Sequence, residues 1–196
     1  MTRLLLALVA ILLVGTCFWS GRAISRPPGV LAPDDPVQQD VADGPHWELD
    51  GYDVHALARF ELRARVLSVE RYRWDRESDL SPVDLALGWG LMSSNEVLDT
   101  LDISQYGRFF FYSWSASTKV SSADVAQHAS NMHMIPADDA TRSLLLRARR
   151  GNLVHLRGWL VEAQGPDGWR WKSSLSRRDT GGGACELVLV EEAELE

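Results

Sequence analysis

The amino-acid sequence predicts an α+β domain, built as a small, partly open β-barrel with inserted short helices and preceded by an N-terminal transmembrane or signal helix. Residues 59–66 alternate between apolar and charged side chains, which is typical of a half-buried strand. Three more strand-like segments follow closely between residues 153 and 190, with capped helical patterns before them. The chain has 196 residues, which suits one domain of ordinary size.

Residues 1–21 are predicted to be a targeting segment. Residues 4–21 contain no charged side chain and are rich in Leu, Val, Ala and Ile, with one arginine just before them. A positively flanked apolar run of this kind is typical of a signal peptide or a transmembrane anchor. Cleavage near residues 15–17 or 21–23, lipidation of Cys17 and retention as an anchor all stay open. Since only two of the 20 basic residues are lysines, an arginine bias that favours a bacterial source, we expect the protein at the bacterial inner membrane with its domain in the periplasm, or secreted to the periplasm.

Residues 22–45 are predicted to form a linker between the targeting segment and the domain. They contain five prolines and four aspartates. Proline at this density disfavours both helix and central strand and leaves an extended tether. The folded domain is therefore expected to comprise residues 46–196.

Composition, charge and motif content limit the functions that the domain is expected to have. The net charge of −7 argues against nucleic-acid binding, since phosphate contacts require a basic surface. Only Lys119 and Lys172 are lysines, an arginine bias that favours a bacterial source. Because Cys17 lies in the targeting segment, Cys185 is the domain's single thiol and no internal disulfide is expected. No phosphate-binding glycine loop, nucleophile elbow or cysteine cluster is present, so no cofactor is predicted.

The first half of the domain is predicted to alternate strands and helices. Ser81 is placed as a helix N-cap with Pro82 in the first turn, and Gly88 would end that helix. The segments in chain order are strand 59–66, helix 81–87, helix 95–101 and strand 108–114.

The second half is predicted to end in a series of strands. The helix 138–150 is acidic at its start and basic at its end, which suits the helix dipole. The turn at residues 165–168 predicts a hairpin, and Gly158 suits a kink in a barrel strand. A long first strand, inserted helices and this series favour an OB-type barrel by analogy. The segments in chain order are helix 121–130, extended segment 131–136, helix 138–150 and strands 153–163, 169–175 and 184–190.

Four stretches resemble segments of an uncharacterised family of bacterial membrane-anchored or secreted envelope proteins, and together they cover nearly all of the domain. This resemblance implies an envelope location and brings no catalytic residue with it, since no activity is assigned to that family. The stretches are LARFELRARVLSVERYRWDRE, LSPVDLALGWG, NMHMIPAD and GPDGWRWKSSLSRRDTGGGACELV.

A concentration of tryptophan and arginine is the most conspicuous candidate for a binding site. Trp169 and Trp171 lie two residues apart in a predicted strand and should point to one face. Aromatic rings and guanidinium groups bind sugars, nucleobases or anionic polymers by stacking and charge. The structural alternative is that the tryptophans belong to the core and the arginines to a solvated surface. The predicted ligand-binding residues are Arg71, Arg73, Trp74, Trp169 and Trp171.

A cysteine-based active site is the rival hypothesis. Cys185 follows a glycine-rich approach, and His133 lies upstream, as in anchored β-barrel transpeptidases such as sortases. Those enzymes place an arginine after the cysteine, whereas Glu186 follows here. An adjacent carboxylate would raise the pKa of the thiol, which is the wrong direction for a nucleophile.

Two further sites are weighed and discounted. His128 and His133 are five residues apart, which is not the spacing of a helical pair of metal ligands, although carboxylates lie nearby at Asp124, Asp138 and Asp139. The triad at residues 179–181 is similar to the aspartic protease motif but follows two arginines instead of an apolar strand. We therefore predict a non-catalytic envelope protein that binds a partner protein or an envelope polymer, with no metal and no catalytic residue. The alternative is an envelope cysteine hydrolase or transpeptidase.

Overall fold

The computed structural model describes residues 22–176, 179, 181 and 183–196. Over these ranges the protein is an α+β domain dominated by β-sheet. The strands are β1 (Val37–Asp40), β2 (His46–Leu49), β3 (Tyr52–Arg71), β4 (Val83–Gly88), β5 (Leu101–Tyr106), β6 (Phe109–Trp114), β7 (Ala129–Pro136), β8 (Leu153–Gln164), β9 (Arg170–Lys172) and β10 (Glu186–Leu195). The helices are α1 (Glu77–Leu80), α2 (Asn95–Leu98), α3 (Ser122–His128) and α4 (Asp139–Leu145), with a 3-10 turn at Gly90–Ser93.

The predicted targeting segment lies outside the described residues. Within the described ranges, no helix combines the length and the apolar character that a bilayer crossing requires.

Strand β3 is the centre of the main sheet. It pairs with β4 on one side and β8 on the other, and both pairings are antiparallel. Strand β4 pairs with β7, β7 runs parallel to β10, and β10 pairs with β8. Strands β1 and β2 add to β3, and β9 adds to β8. Strands β5 and β6 form a separate two-stranded hairpin, called here the aromatic hairpin.

The helix predicted over residues 81–87 is wrong, because this segment is strand β4. All six residues of β4 are buried, so the strand is covered on both faces. A strand buried on both faces has a continuous apolar run, and periodicity cannot distinguish such a run from a buried helix. The pairing of Val83–Gly88 with both β3 and β7 supplies the backbone hydrogen bonds that a helix would otherwise provide.

Several other predicted elements are confirmed. The alternating segment 59–66 lies inside β3, and its apolar residues enter the largest core cluster. The hairpin around residues 165–168 joins β8 to β9. Helix α3 begins with a capping box in which Ser121 and Asp124 satisfy each other's backbone N–H groups.

Helix α4 ends earlier than predicted. It stops at Leu145 instead of continuing to Arg150. The guanidinium of Arg71 donates hydrogen bonds to the carbonyl oxygens of Leu146 and Ala148, at 2.9 and 2.7 Å respectively. The bond to Leu146 satisfies a carbonyl group that a helix to Arg150 would have bonded internally, and the bond to Ala148 satisfies one that such a helix would have left without an internal partner.

The segment predicted as an extended linker is packed against the domain. The backbone N–H of Ile24 donates to the carbonyl of Arg150 at 2.8 Å. Farther along, Ala32 is buried and strand β1 pairs with β3. Extended backbone in residues 22–45 therefore forms part of the folded structure.

Candidate binding site

The aromatic hairpin turns sharply at Gly107 and Arg108. Both residues have positive φ values, 57° and 65°. A two-residue hairpin turn needs positive φ at both central positions in its type I′ form, and arginine adopts this conformation uncommonly. The contacts of the Arg108 side chain compensate for this local strain.

The guanidinium of Arg108 is bound to the main sheet by two carboxylates. Its Nη1 lies 3.0 Å from Oδ1 of Asp84, and its Nη2 lies 3.0 Å from Oδ1 of Asp75. It stacks on Tyr72, with 3.9 Å between the guanidinium carbon and the ring centroid, and lies 5.2 Å from the ring of Trp171. The tip of the aromatic hairpin is therefore fixed by charge and by stacking.

Asp84 is the centre of this partly buried group, called here the Asp84 cluster (Tyr72, Asp75, Asp84, Arg108 and His133). Asp84 is fully buried in β4, and Nδ1 of His133 lies 2.9 Å from its Oδ1. The ring nitrogen does not meet the angular requirement of a hydrogen bond, so we treat this contact as an ion pair whose strength depends on protonation of the imidazole. Burial, and next the charge of Asp84, raise the pKa of Tyr72, which therefore stays protonated and accepts the backbone N–H of Arg108.

One face of the aromatic hairpin is exposed. Alternate residues of β5 and β6 pack onto a core cluster beneath, while Tyr106 is 81% exposed, Phe109 46% and Phe111 50%. A groove of about 300 Å³ lies beside this face, lined in part by Phe109, Phe111, Asn131 and Cys185. Its volume is at the lower end of what small-molecule sites have. The hairpin thus presents aromatic surface instead of burying it.

The predicted tryptophan and arginine residues fall into different environments. Trp74 is 95% exposed, and Arg73 beside it is also exposed. Arg71 is used to bond the carbonyl groups after α4. The structural alternative, that the tryptophans are core residues, therefore does not hold for Trp74.

Trp169 and Trp171 lie on one face, as predicted, and both are half-buried against a core cluster. Their ring centroids are 6.0 Å apart, and Trp169 meets the ring of Tyr52 at 5.4 Å. Trp171 lies 4.7 Å from the ring of His133. The guanidinium of Arg76 covers the outer side of Trp169 at 4.9 Å. These two tryptophans thus link β9 to the Asp84 cluster and leave limited ring surface for a ligand.

Cys185 and His133, the residues of the rival hypothesis, have different neighbours. The thiol lies 4.0 Å from Nδ2 of Asn131 and 3.9 Å from the carbonyl oxygen of Arg108. Cys185 and His133 both lie in the described part of the chain, and no hydrogen bond joins them. Burial raises the pKa of Cys185 to about 11, and the carboxylate of Glu186 adds to this effect. The thiolate that a nucleophile requires is therefore disfavoured.

The rate of Cys185 alkylation should rise as pH increases through about 11, instead of through the ordinary value of 9. At pH 8 the thiolate fraction should be about 100-fold smaller than that of an unperturbed cysteine, because each pKa unit is a factor of ten. Mass spectrometry of the Cys185 peptide after iodoacetamide treatment, with a urea-unfolded control, measures this. Equal labelling of folded and unfolded chains near neutral pH would contradict the prediction and favour the cysteine enzyme.

The remaining sequence candidates are placed as follows. Nδ1 of His128 lies 2.8 Å from the carbonyl oxygen of Asp124, within helix α3. Asp138 caps helix α4. Among the residues that the structure describes, no three side chains of His, Cys, Asp or Glu are grouped as metal ligands would be. Asp179 accepts a hydrogen bond from Ser174 at 2.6 Å, whereas the middle residue of the 179–181 triad lies outside the described residues.

Fold and site together define an α+β domain with an exposed aromatic hairpin held by a charge cluster around the buried Asp84. Comparison of the chain with models of protein families, with curated proteins and with solved structures gave no match.

Sequence reasoning missed the exposed aromatic face. The signal was present in residues 109–112, Phe-Phe-Phe-Tyr, inside a predicted strand. Because a strand alternates its side chains, four consecutive aromatic residues place some of them on each face. A hairpin that packs one face onto the core must then expose the others.

Proposed function

We propose that this protein is a non-catalytic, membrane-anchored envelope protein whose domain binds an extended segment of a partner protein through the aromatic hairpin. The location rests on the apolar segment 4–21 and on the resemblance to envelope proteins described above. An acidic net charge of −7 agrees with a protein partner better than with nucleic acid.

The scaffold of this module is proposed to be a partly open OB-type barrel. The support is the order of pairing, in which β3, β4, β7, β10 and β8 pair in turn and β8 pairs again with β3. Only the β7–β10 pairing in this series is parallel. Helix α4 lies between β7 and β8, where an OB-type barrel has its helix.

The observation that carries the binding proposal is the exposure of Tyr106, Phe109 and Phe111 on one hairpin face. Contiguous exposed aromatic surface on a folded domain marks interaction sites, and aromatic residues are enriched in protein interfaces. Among the described residues no third strand pairs with the aromatic hairpin, so its outer edges offer backbone groups to which an extended segment could add.

The cysteine-based alternative has less support. Its nucleophile would be a buried thiol with a raised pKa, in contact with Asn131 instead of His133. The imidazole of His133 is already paired with Asp84.

Photo-crosslinking in cells tests the binding proposal. A benzophenone amino acid placed at Phe111 in the full chain should give a discrete protein adduct, and the same group at the exposed Val37 of β1 should not. In the Phe109→Ser variant the adduct should fall about 30-fold, because truncating an aromatic anchor costs about 2 kcal/mol or more.

Circular dichroism of the Phe109→Ser variant serves as the folding control. An adduct that carries glycan instead of protein would replace the partner protein by an envelope polymer. Identical adducts at Phe111 and Val37, or an unchanged adduct in a folded Phe109→Ser variant, would overturn the assignment of the hairpin as the binding surface.

A further inference from the structure

The chain is bound to the domain almost immediately after the predicted membrane segment. That segment ends at Gly21, and Ile24 already donates its backbone N–H to the carbonyl of Arg150 at 2.8 Å. The guanidinium of Arg26 donates to the carbonyl of Gly151 at 2.7 Å and also to the carbonyl of Glu196. Only Arg22 and Ala23 separate the apolar segment from these contacts.

Gly151 is adapted to this attachment. It has a φ of 93°, and the place that a Cβ atom would occupy is filled by the carbonyl of Ile24. Any other residue would displace the Ile24 backbone and strain its own, since positive φ is unfavourable for residues with a Cβ. The contact between residues 24–26 and residues 150–151 is therefore built into the domain.

The short connection limits the distance between the domain and a membrane. An extended chain spans at most about 3.5 Å per residue, so the attachment point lies within about 10 Å of the end of the apolar segment. If residues 22–45 were a free linker, the domain could move about 80 Å away. With the proposed anchor in a membrane, this short connection would hold the domain at the bilayer surface.

The surface around the attachment is basic in a protein that is acidic as a whole. Arg22 and Arg150 are exposed and Arg26 is partly exposed, whereas Arg65 is buried beneath them and bonds the carbonyl of Ser93 and the side chain of Asn95. Burial, and then the charges of the neighbouring Arg26 and Arg150, lower the pKa of Arg65. The carboxylate of Asp99 lines the same region and offsets one of these charges.

The carboxylate of Glu196 also lies near the attachment, but it is paired with Arg63. The attachment face, defined by Arg22, Ile24, Arg26 and Arg150, therefore keeps an excess of positive charge.

We infer that the attachment face lies on the bilayer and binds the phosphate groups of anionic phospholipids. This rests on the proposed membrane anchor, which brings the face to the head groups. One guanidinium group can donate two parallel hydrogen bonds to phosphate oxygens. Each arginine near an anionic membrane raises the equilibrium constant for membrane binding about fivefold. The anchor thus also orients the domain on the membrane.

Arginine footprinting of the full chain in lipid nanodiscs tests this inference. Phenylglyoxal should modify Arg22 and Arg150 about fivefold more slowly in discs of phosphatidylcholine with phosphatidylglycerol than in discs of phosphatidylcholine alone. Arg73, which is exposed and lies beyond the end of β3, seven residues after the Val66 that bonds Gly151, should react equally in both.

Matched variants extend the test. In the parent chain, phosphatidylglycerol should increase the protection of amides 22–26 against hydrogen exchange. The Arg22→Gln/Arg150→Gln chain should lose this increase. The Arg73→Gln chain should retain this protection.

Each other outcome overturns a defined part of the proposal. A chain that does not enter the discs would overturn the anchor and the docking together. A chain that enters the discs but shows equal reactivity at Arg22, Arg150 and Arg73 would overturn the docking and leave the anchor standing. Equal protection in both lipid compositions would overturn the recognition of anionic head groups.

Discussion

Replacement of Asp84 by alanine is expected to lower the free energy of unfolding by about 3–5 kcal/mol, the cost of breaking a buried ion pair. Asp84 is fully buried and shares its carboxylate between Arg108 and His133. Without it, the guanidinium of Arg108 keeps only the more exposed carboxylate of Asp75. Urea unfolding of residues 22–196, followed by tryptophan fluorescence, measures the change.

The matched control is Arg59→Ala, which breaks the exposed ion pair with Glu191 and should cost at most about 1 kcal/mol. The Asp84→Ala/Arg108→Ala double variant should lose much less than the sum of the two single losses, since both remove the same pair. A loss below about 1 kcal/mol for Asp84→Ala would show that the cluster does not hold the hairpin as described.

Replacement of Gly158 by valine should destabilise the domain by about 3 kcal/mol, the upper end of the cost of overpacking. A Cβ atom at Gly158 would overlap the backbone carbonyl of Leu189 on β10. Backbone atoms cannot move aside as a flexible side chain can, so β8 and β10 would have to separate. The intrinsic strand preferences alone would predict that Gly158→Val raises the free energy of unfolding, because valine favours strands and glycine weakens them.

Arg157→Val is the control for this prediction, since it adds a β-branched residue to the same strand at an outward-facing position. It loses exposed ion pairs with Glu61 and Glu192, and its unfolding free energy should change by at most about 1 kcal/mol. If Gly158→Val proved as stable as the parent chain in the same urea titration, the close approach of β8 and β10 would be refuted.

Local sequence patterns correctly predicted those elements that a few nearby residues define without help from tertiary contacts. The alternation in residues 59–66 indicated a strand, because one face of β3 is buried and the other carries charge. Ser121 and Asp124 indicated the start of α3, because a capping box is formed by residues three apart. The turn at residues 165–168 indicated a hairpin for the same local reason.

The candidate site was only partly predictable. Trp74 was singled out from sequence and proves exposed, and the common face of Trp169 and Trp171 followed from their spacing. The guanidinium of Arg71 donates its hydrogen bonds to backbone carbonyl groups. No sequence pattern indicates that an arginine will bond these partners. Arg108 and Asp84 were not proposed at all, since neither belongs to a recognisable motif.

By itself the sequence determined a charge-free apolar segment, an acidic domain and the local elements whose signals span a few residues. Only the tertiary structure decided that residues 83–88 are a strand, since a covered strand and a buried helix have the same apolar run. It also decided where residues 22–26 attach and which groups surround Arg108. The partners of Arg108 at Tyr72 and Asp84 are 36 and 24 positions away along the chain. Strand pairing brings such distant residues together, and no local periodicity records it.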